Sequence, residues 1–149
     1  MTGVVESTVI RQVSIVHEFK LDLRNGIVLC SELSESTVSS FPDVNQRDMK
    51  NGYVWYTLPI VDINGESVVF SLCFFNSRIQ SLSISIANPQ KYGSSWNDFS
   101  ESKEKLRAKD TEKWLSSIGY QVGKYLWGAV WAGYDSKGGF GHAVVRYAL

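Results

Sequence analysis

Polar and hydrophobic residues alternate along two long segments of the chain, and this alternation predicts half-buried strands. From Val13 to Leu23 the odd positions are apolar except for His17, and the even positions are mostly polar. From Ile79 to Ile86 apolar positions alternate with three serines, which are Ser81, Ser83 and Ser85. Successive side chains of a strand point to opposite faces, so we expect this serine face to be wet or to border a shallow cavity.

Three Asn-Gly pairs lie beside strand-like sequence and predict hairpin turns. They occupy residues 25–26, 51–52 and 64–65. Both residues of such a pair tolerate the positive φ that a two-residue hairpin turn requires. Tyr53–Val61 and Val68–Phe75 are apolar on both faces, which is typical of strands in the middle of a sheet. The polar segment Ser31–Lys50 is interpreted as a loop or a short, weak helix.

One segment has the pattern of a long helix. Asp98 followed by Glu101 resembles a capping box, Glu101 and Lys105 are spaced for an ion pair, and Gly119 is a natural end. Charged residues dominate positions 101–113, which we interpret as a solvated face. The apolar stripe of this helix is expected to consist of Phe99, Leu106, Trp114, Leu115 and Ile118.

The chain ends in another hairpin pattern. Tyr125–Tyr134 is aromatic and strand-like, residues 135–139 have turn chemistry, and His142–Ala148 returns. We therefore predict one α+β domain over residues 1–149, with an antiparallel meander sheet of about six or seven strands. One long helix would pack on one face of that sheet, and the C-terminal hairpin would close it. The opposite face would be open to another molecule.

Charge and composition narrow the classes of function. Fifteen basic and fifteen acidic residues give a formal net charge of zero, whereas nucleic-acid binders usually carry a basic excess, so we expect no nucleic-acid partner. The sequence has neither a bilayer-length apolar stretch nor a secretory leader, which predicts no membrane association and a cytoplasmic location. Cys30 and Cys73 lie in separate apolar runs and are interpreted as buried free thiols.

The polar residues that could carry chemistry have structural explanations. With two histidines and no clustered cysteines, the chain is expected to bind no metal. His17 is interpreted as a core or strand-face residue, and His142 shares a strand face with Arg146. The glycines within residues 138–141 precede a strand, not the helix that a phosphate loop needs, so we interpret them as a turn. No nucleophile motif is present, and we expect neither catalytic activity nor a cofactor.

Aromatic residues cluster near the C-terminal hairpin. By parity, Trp127 and Trp131 share a strand face with Tyr125, and either core packing or a partner-binding surface would explain them. Trp, Tyr and Arg dominate the hot spots of protein interfaces. The candidate partner-binding residues are Trp131, Tyr134, Asp135, Lys137 and Arg146.

Five short segments carry a resemblance to known proteins. They are Val54–Pro59, Ser94–Glu101, Trp114-Leu115, Trp127-Gly128 and Gly133–Gly139. Together, over roughly residues 50–149, they resemble a group of small bacterial cytosolic proteins that we connect with immunity proteins of toxin systems. The resemblance implies a protein that binds and neutralises a cognate toxin, and it carries over no catalytic residue.

Two functions from different classes follow. The first is a non-enzymatic protein-binding domain, with an immunity protein that occludes a toxin domain as its specific form. The second is a small-molecule-binding protein or an enzyme with a cavity between sheet and helix. In that second case the serine face would supply hydroxyls, and His17 or Tyr56 would supply a polar handle. The wet face could also pair with a second copy, so both a monomer and a homodimer are open.

Overall fold

The computed structural model describes residues 17–93 and 95–148. Most of the predicted strand Val13–Leu23 therefore lies outside the described residues. Its described end contains β1 (Leu21–Asp22), which pairs with β2 (Val28–Leu29) around the predicted turn at Asn25-Gly26. His17 is exposed and lies at a bend before β1, so the interpretation of this histidine as a core or strand-face residue is wrong.

Within the described residues, eight antiparallel strands form the main sheet. In spatial order, β3, β4, β6, β7, β10, β9 and β8 lie side by side, and β5 pairs with β6 beyond the end of β4. The strand bounds are β3 Asn45–Asp48, β4 Tyr53–Thr57, β5 Val61–Ile63, β6 Glu66–Phe75, β7 Arg78–Ile86, β8 Gly123–Tyr125, β9 Gly128–Asp135 and β10 Phe140–Tyr147. The α+β class, the antiparallel sheet and the C-terminal hairpin are confirmed.

Two-residue turns join β5 to β6 and β6 to β7. Ile63 pairs with Glu66 around Asn64-Gly65, whose φ angles of 52° and 83° are both positive, as the Asn-Gly pattern predicts. Asn76 and Ser77 adopt φ angles of 48° and 69° between β6 and β7 without any glycine. Tight turns of this kind keep β5, β6 and β7 adjacent in both sequence and space.

Two strands differ from the sequence prediction. β3 is a wholly exposed strand with the sequence Asn-Gln-Arg-Asp. This sequence has no hydrophobic alternation from which a strand could be predicted. The predicted strand Tyr125–Tyr134 is two strands, because the chain turns at Leu126-Trp127 and Tyr125 pairs with Gly128. The sheet consequently has more strands than predicted.

The helices are α1 (Glu35–Ser39), α2 (Pro89–Tyr92) and α3 (Glu101–Ser117), with a 3₁₀ turn at Trp96–Asp98. Ser100, not Asp98, caps α3, since its Oγ accepts a hydrogen bond from the Lys103 backbone N–H. The predicted Glu101–Lys105 ion pair forms at 2.8 Å. No helix of the described ranges combines the length and the apolarity needed to cross a membrane.

The apolar stripe predicted for α3 is only half correct. Trp114 and Leu115 are buried, but Phe99 and Leu106 are exposed. Before Trp114, the buried side of the helix consists of Glu104, Ala108 and Thr111. Here the helix backbone touches β10: a Cβ on Gly141 would lie 1.8 Å from the Glu104 carbonyl oxygen. Such a close approach leaves room only for small or hydrogen-bonded side chains.

Described elements cover one face of the sheet. α3 packs against β7, β9 and β10, and the segment that contains β1, β2 and α1 contributes Phe19, Ile27, Leu29 and Val38 to the same core. The sheet supplies a continuous apolar layer, which includes Phe70, Leu72, Leu82, Ile84, Ala143 and Val145. No described element packs on the other side, which we name the open face. It carries the half-buried serines Ser81, Ser83 and Ser85.

Candidate open-face binding site

A shallow cleft of about 430 Å³ lies on the open face over β9 and β10. Its lining residues come from alternate positions of these two paired strands, which is why they share one face. They are Ala129, Trp131, Asp135, His142, Val144 and Arg146. The cleft therefore combines an aromatic ring, an imidazole and both signs of charge.

Trp131 is the large exposed side chain of this cleft. It is 46% exposed, and its ring meets the His142 ring edge to face at 5.7 Å. The Phe140 ring also contacts the His142 ring in a T-shaped arrangement, with the two ring centroids 4.4 Å apart. Rigid aromatic rings that are fixed by neighbours lose little side-chain entropy when they contact a partner.

His142 is nearly buried beneath these two rings, with 8% of its surface exposed. Its Nδ1 lies 2.6 Å from the Ser83 Oγ on β7. Burial lowers the pKa of His142 below its usual range, and the Asp135 carboxylate opposes that shift. Because the pKa is lowered, the imidazole is mostly neutral at pH 7 and does not repel Arg146.

Arg146 supplies the positive charge of the cleft. Its side chain is exposed, and within the described part of the chain no carboxylate lies within ion-pair distance of it. Arg146 pairs with Ser81, and Ser81 pairs with Cys73 on the next strand, so the three residues share one face. The positive charge of Arg146 favours the thiolate form of Cys73 and so acts to lower its pKa. Burial raises the pKa of the Cys73 thiol more than Arg146 lowers it, so this cysteine is a protonated thiol and a poor nucleophile.

The predicted site residues do not all meet. Trp131, Asp135 and Arg146 line one cleft on the open face. Tyr134 lies on the opposite face, where the ammonium of Lys105 on α3 sits 5.8 Å from its ring. Lys137 is exposed in the turn that follows β9, and its backbone N–H donates to Asp135 Oδ1. The tertiary structure thus separates the five residues into a cleft, a helix-facing tyrosine and a turn.

The aromatic group predicted to share one strand face is also divided. The Trp127 ring stacks on Tyr125 at 5.2 Å and contacts Tyr147 at 6.1 Å, so it packs against the core. Trp131 faces the open side. The turn at Leu126-Trp127 explains this difference, since strand parity does not extend through a turn.

Sequence reasoning missed the contact between Ser83 and His142. These residues are 59 positions apart, and they meet because β7 pairs with β10 across a long connection that includes α3. The alternating serines of β7 and the matching parity of His142 were the available signals. Neither of them indicates which strands are neighbours.

A second cleft, of about 600 Å³, lies between the start of α3, the turn of the C-terminal hairpin and the segment after β7. Glu104 and Arg107 form an ion pair at 3.0 Å along its lining. Glu104 Oε1 accepts from the Gly141 backbone N–H at 3.0 Å, and Arg107 Nη1 donates to the Ile86 carbonyl at 2.6 Å. The Arg107 guanidinium also lies 4.6 Å from the Tyr92 ring centre.

Three large polar side chains of this second cleft, those of Tyr92, Glu104 and Arg107, already have polar partners. The Arg107 guanidinium donates hydrogen bonds to the Glu104 carboxylate and to the Ile86 carbonyl oxygen, and the Tyr92 hydroxyl donates to Asp110. Ser85 lines this cleft, but Ser81 and Ser83 do not, and neither His17 nor Tyr56 lines it. The Tyr56 hydroxyl instead donates to Glu35 of α1 at 2.6 Å. The residues proposed as handles for a cavity ligand are therefore not gathered there.

The contact between Ser83 and His142 lies in the middle of the sheet. His142 could accept a proton from Ser83, yet Ser83 lies within a central strand whose backbone N–H groups serve the sheet ladder. Such a position offers no free backbone donors for a developing oxyanion. Over residues 17–93 and 95–148, no group of three His, Cys, Asp or Glu side chains is placed to hold a metal ion.

Comparison of the chain with protein families, with curated proteins and with solved structures found no match in any of the three.

Proposed function

We propose that this protein is a non-enzymatic binding domain that occludes a protein partner with the open face of its sheet. The observation that carries the proposal is the Trp131 ring, held edge to face on His142 and 46% exposed. It shares its cleft with Arg146, for which the described residues offer no ion-pair partner. An exposed indole next to a guanidinium is the residue combination that contributes most to protein interfaces. The opposite face of the sheet is filled by its own helices and hairpin.

The edge of the sheet beside this cleft supports the same proposal. β8 pairs only with residues 128–130 of β9, so the outer edge of β9 from Trp131 to Tyr134 has no described backbone partner. Unpaired strand edges are places where a second chain can add a strand. A partner seated on Trp131 would reach the open face and this edge together.

The specific form that we propose is an immunity protein, in which the partner is a toxin domain whose active site the open face covers. This assignment rests on the resemblance of the segments around Trp114, Trp127 and Gly133–Gly139. Occlusion requires a stable, rigid surface, and a strand-borne site held by an eight-stranded sheet supplies one. We place the partner in the same cytoplasm as the chain.

The experiment begins by identifying the partner. A photo-crosslinking amino acid is placed at Val144 on the open face and, as a control, at Lys109 on the exposed side of α3. The protein is expressed in its host, and we expect a partner that crosslinks from Val144 and not from Lys109. Equal crosslinking from both positions would contradict use of the open face.

Affinity for the isolated partner then tests the site. We expect the double variant Trp131→Ala/Arg146→Ala to weaken binding by about 2 kcal/mol or more, since both residues belong to hot-spot types. Leu126→Ala is the matched control, because Leu126 is 89% exposed in the turn between β8 and β9. Unchanged affinity in the folded double variant would end the proposal. For a toxin partner, growth rescue in co-expressing cells should follow the affinity.

A further inference from the structure

The register of the sheet places three basic side chains in one row across the open face. Arg47 pairs with Trp55, Trp55 with Cys73, and Cys73 with Ser81. Ser81 then pairs with Arg146, Arg146 with Ala129, and Ala129 with Lys124. The row thus crosses seven strands in one line, and we name Arg47, Arg146 and Lys124 the basic row.

The basic row contains no compensating acid. Its other members are Trp55, Cys73, Ser81 and Ala129, none of which carries a negative charge at neutral pH. All three cations are exposed, and among the described residues none of them lies within 4.0 Å of a carboxylate. The positive charge of this row is therefore available to a molecule that approaches the open face.

The basic row is a local concentration of positive charge, and the chain as a whole has no excess of basic residues. The chain has fifteen basic and fifteen acidic residues, so the basic row is balanced elsewhere in the molecule. With neighbouring strands about 4.8 Å apart, Lys124 lies about 10 Å and Arg47 about 19 Å from Arg146 along the row. Surfaces kept only for solubility intersperse both signs of charge, whereas a single-sign row attracts an oppositely charged partner.

We propose that the open face recognises an acidic protein surface, with the basic row contacting carboxylates and Trp131 receiving an apolar side chain beside them. This inference rests on the proposed function and names the chemistry of its partner. Complementary charge gives such interfaces orientation and fast association, while the aromatic anchor provides desolvated contact.

A protein fits these observations better than a nucleic acid does. Asp135 lines the same cleft as Arg146, and a protein surface can place a neutral or basic group opposite this carboxylate, whereas a nucleic-acid backbone presents a negative charge at every nucleotide. Single-stranded binders stack successive bases on several aromatic rings. The exposed aromatic rings of the open face do not form such a series, because Trp131 and Phe140 both pack on His142, whereas Tyr53 packs on Phe75 four strands away from β9.

The test uses fluorescently labelled poly-L-glutamate as the acidic probe and poly-L-glutamine as its neutral counterpart, with binding followed by anisotropy. The variant Arg47→Glu/Arg146→Glu reverses two charges of the basic row. The variant Lys103→Glu/Lys109→Glu makes the same change of net charge on exposed positions of α3. Circular dichroism confirms that both variants are folded.

We expect the wild type to bind poly-L-glutamate at low salt, with an affinity that falls as the salt concentration rises. The basic-row variant should bind this probe at least about tenfold more weakly than the wild type does. Poly-L-glutamine should not bind, and the α3 variant should retain affinity. Equal losses in the two variants, or no loss in the basic-row variant, would overturn the inference. Tighter binding of a single-stranded oligo-dT of matched charge would overturn the assignment of a protein partner.

Failure of this inference is separable from failure of the proposed function. If the isolated partner needs Trp131 but ignores charge reversal at Arg47 and Arg146, the partner binds the open face without acidic recognition. If the isolated partner ignores Trp131 and Arg146 altogether, the binding face itself is wrong.

Discussion

The Oγ of Ser83 and the Nδ1 of His142 lie 2.6 Å apart on adjacent strands of the open face. Ser83 is directly opposite Val144, so its hydroxyl reaches diagonally across β10 to a histidine two positions away. The contact satisfies one nitrogen of an imidazole that Trp131 and Phe140 otherwise enclose. It links the stability of the sheet to the protonation state of one buried ring.

Replacing His142 should make stability less sensitive to acid. Burial lowers the folded-state pKa of His142 below its unfolded value of about 6.5, so the folded protein favours the neutral ring. The stabilisation is fully present above pH 6.5 and is lost as the pH falls through that value toward the folded-state pKa. We expect His142→Gln to flatten this loss in urea unfolding measured from pH 7.5 to pH 5. His17→Gln, at an exposed histidine, is the control, and an identical flattening there would contradict the assignment.

Gly141→Ala should strongly destabilise the protein. The added Cβ would meet the Glu104 carbonyl oxygen at 1.8 Å, and this oxygen belongs to the helix backbone, so β10 or α3 would have to move. We expect a loss of about 3 kcal/mol or more in the free energy of unfolding. Gly65→Ala is the comparison, because its Cβ would meet nothing within 4 Å and only its positive φ of 83° is strained, a cost of about 1–2 kcal/mol. Similar losses in the two variants would show that α3 does not lie against β10 as described.

Removing Glu104 should cost more than removing Glu101. The Glu104 side chain is 9% exposed and accepts from both Arg107 and the Gly141 backbone N–H. Glu104→Ala leaves a poorly solvated guanidinium without its carboxylate, for which we expect about 3 kcal/mol of destabilisation. Glu101→Ala breaks only the solvated pair with Lys105 and should change stability little. Chemical denaturation of both variants provides the measurement, and a larger effect of Glu101→Ala would refute this ranking.

Tyr134 should prove dispensable for partner binding although it neighbours the site in sequence. Its ring faces Lys105 of α3, on the side of the sheet away from the cleft. We expect Tyr134→Ala to leave affinity for the isolated partner within about twofold of the wild type, whereas Trp131→Ala weakens it by at least about tenfold. Isothermal titration of both variants checks this difference. A greater loss from Tyr134→Ala would move the interface to the helix-covered side.

The sequence predicts the elements that depend on local chemistry. Asn64-Gly65 forms the hairpin turn because both residues accept positive φ, and the serine–apolar alternation of Ile79–Ile86 places Leu82 and Ile84 in the core. The helix is predicted because its charged face and its ion pair of Glu101 with Lys105 lie within one segment. These signals involve residues no more than a few positions apart.

Errors occurred where packing overrides a local pattern. Phe99 and Leu106 were expected to face the core, but the close contact at Gly141 turns the Glu104 side of α3 inward instead. Trp127 and Trp131 were expected to share a face, but a turn at Leu126-Trp127 sends them to different environments. β3 carries no apolar residue, so only its pairing with β4 makes it a strand.

By itself, the sequence determined the α+β class, the hairpins and the long helix, because turn propensity and hydrophobic period are properties of neighbouring residues. Only the tertiary structure decided that Ser83 meets His142 and that Arg47, Arg146 and Lys124 share one row. Those relationships depend on which strands pair and in what register. Pairing is fixed by burying apolar surface from distant segments in one core, and that choice is made by the whole chain.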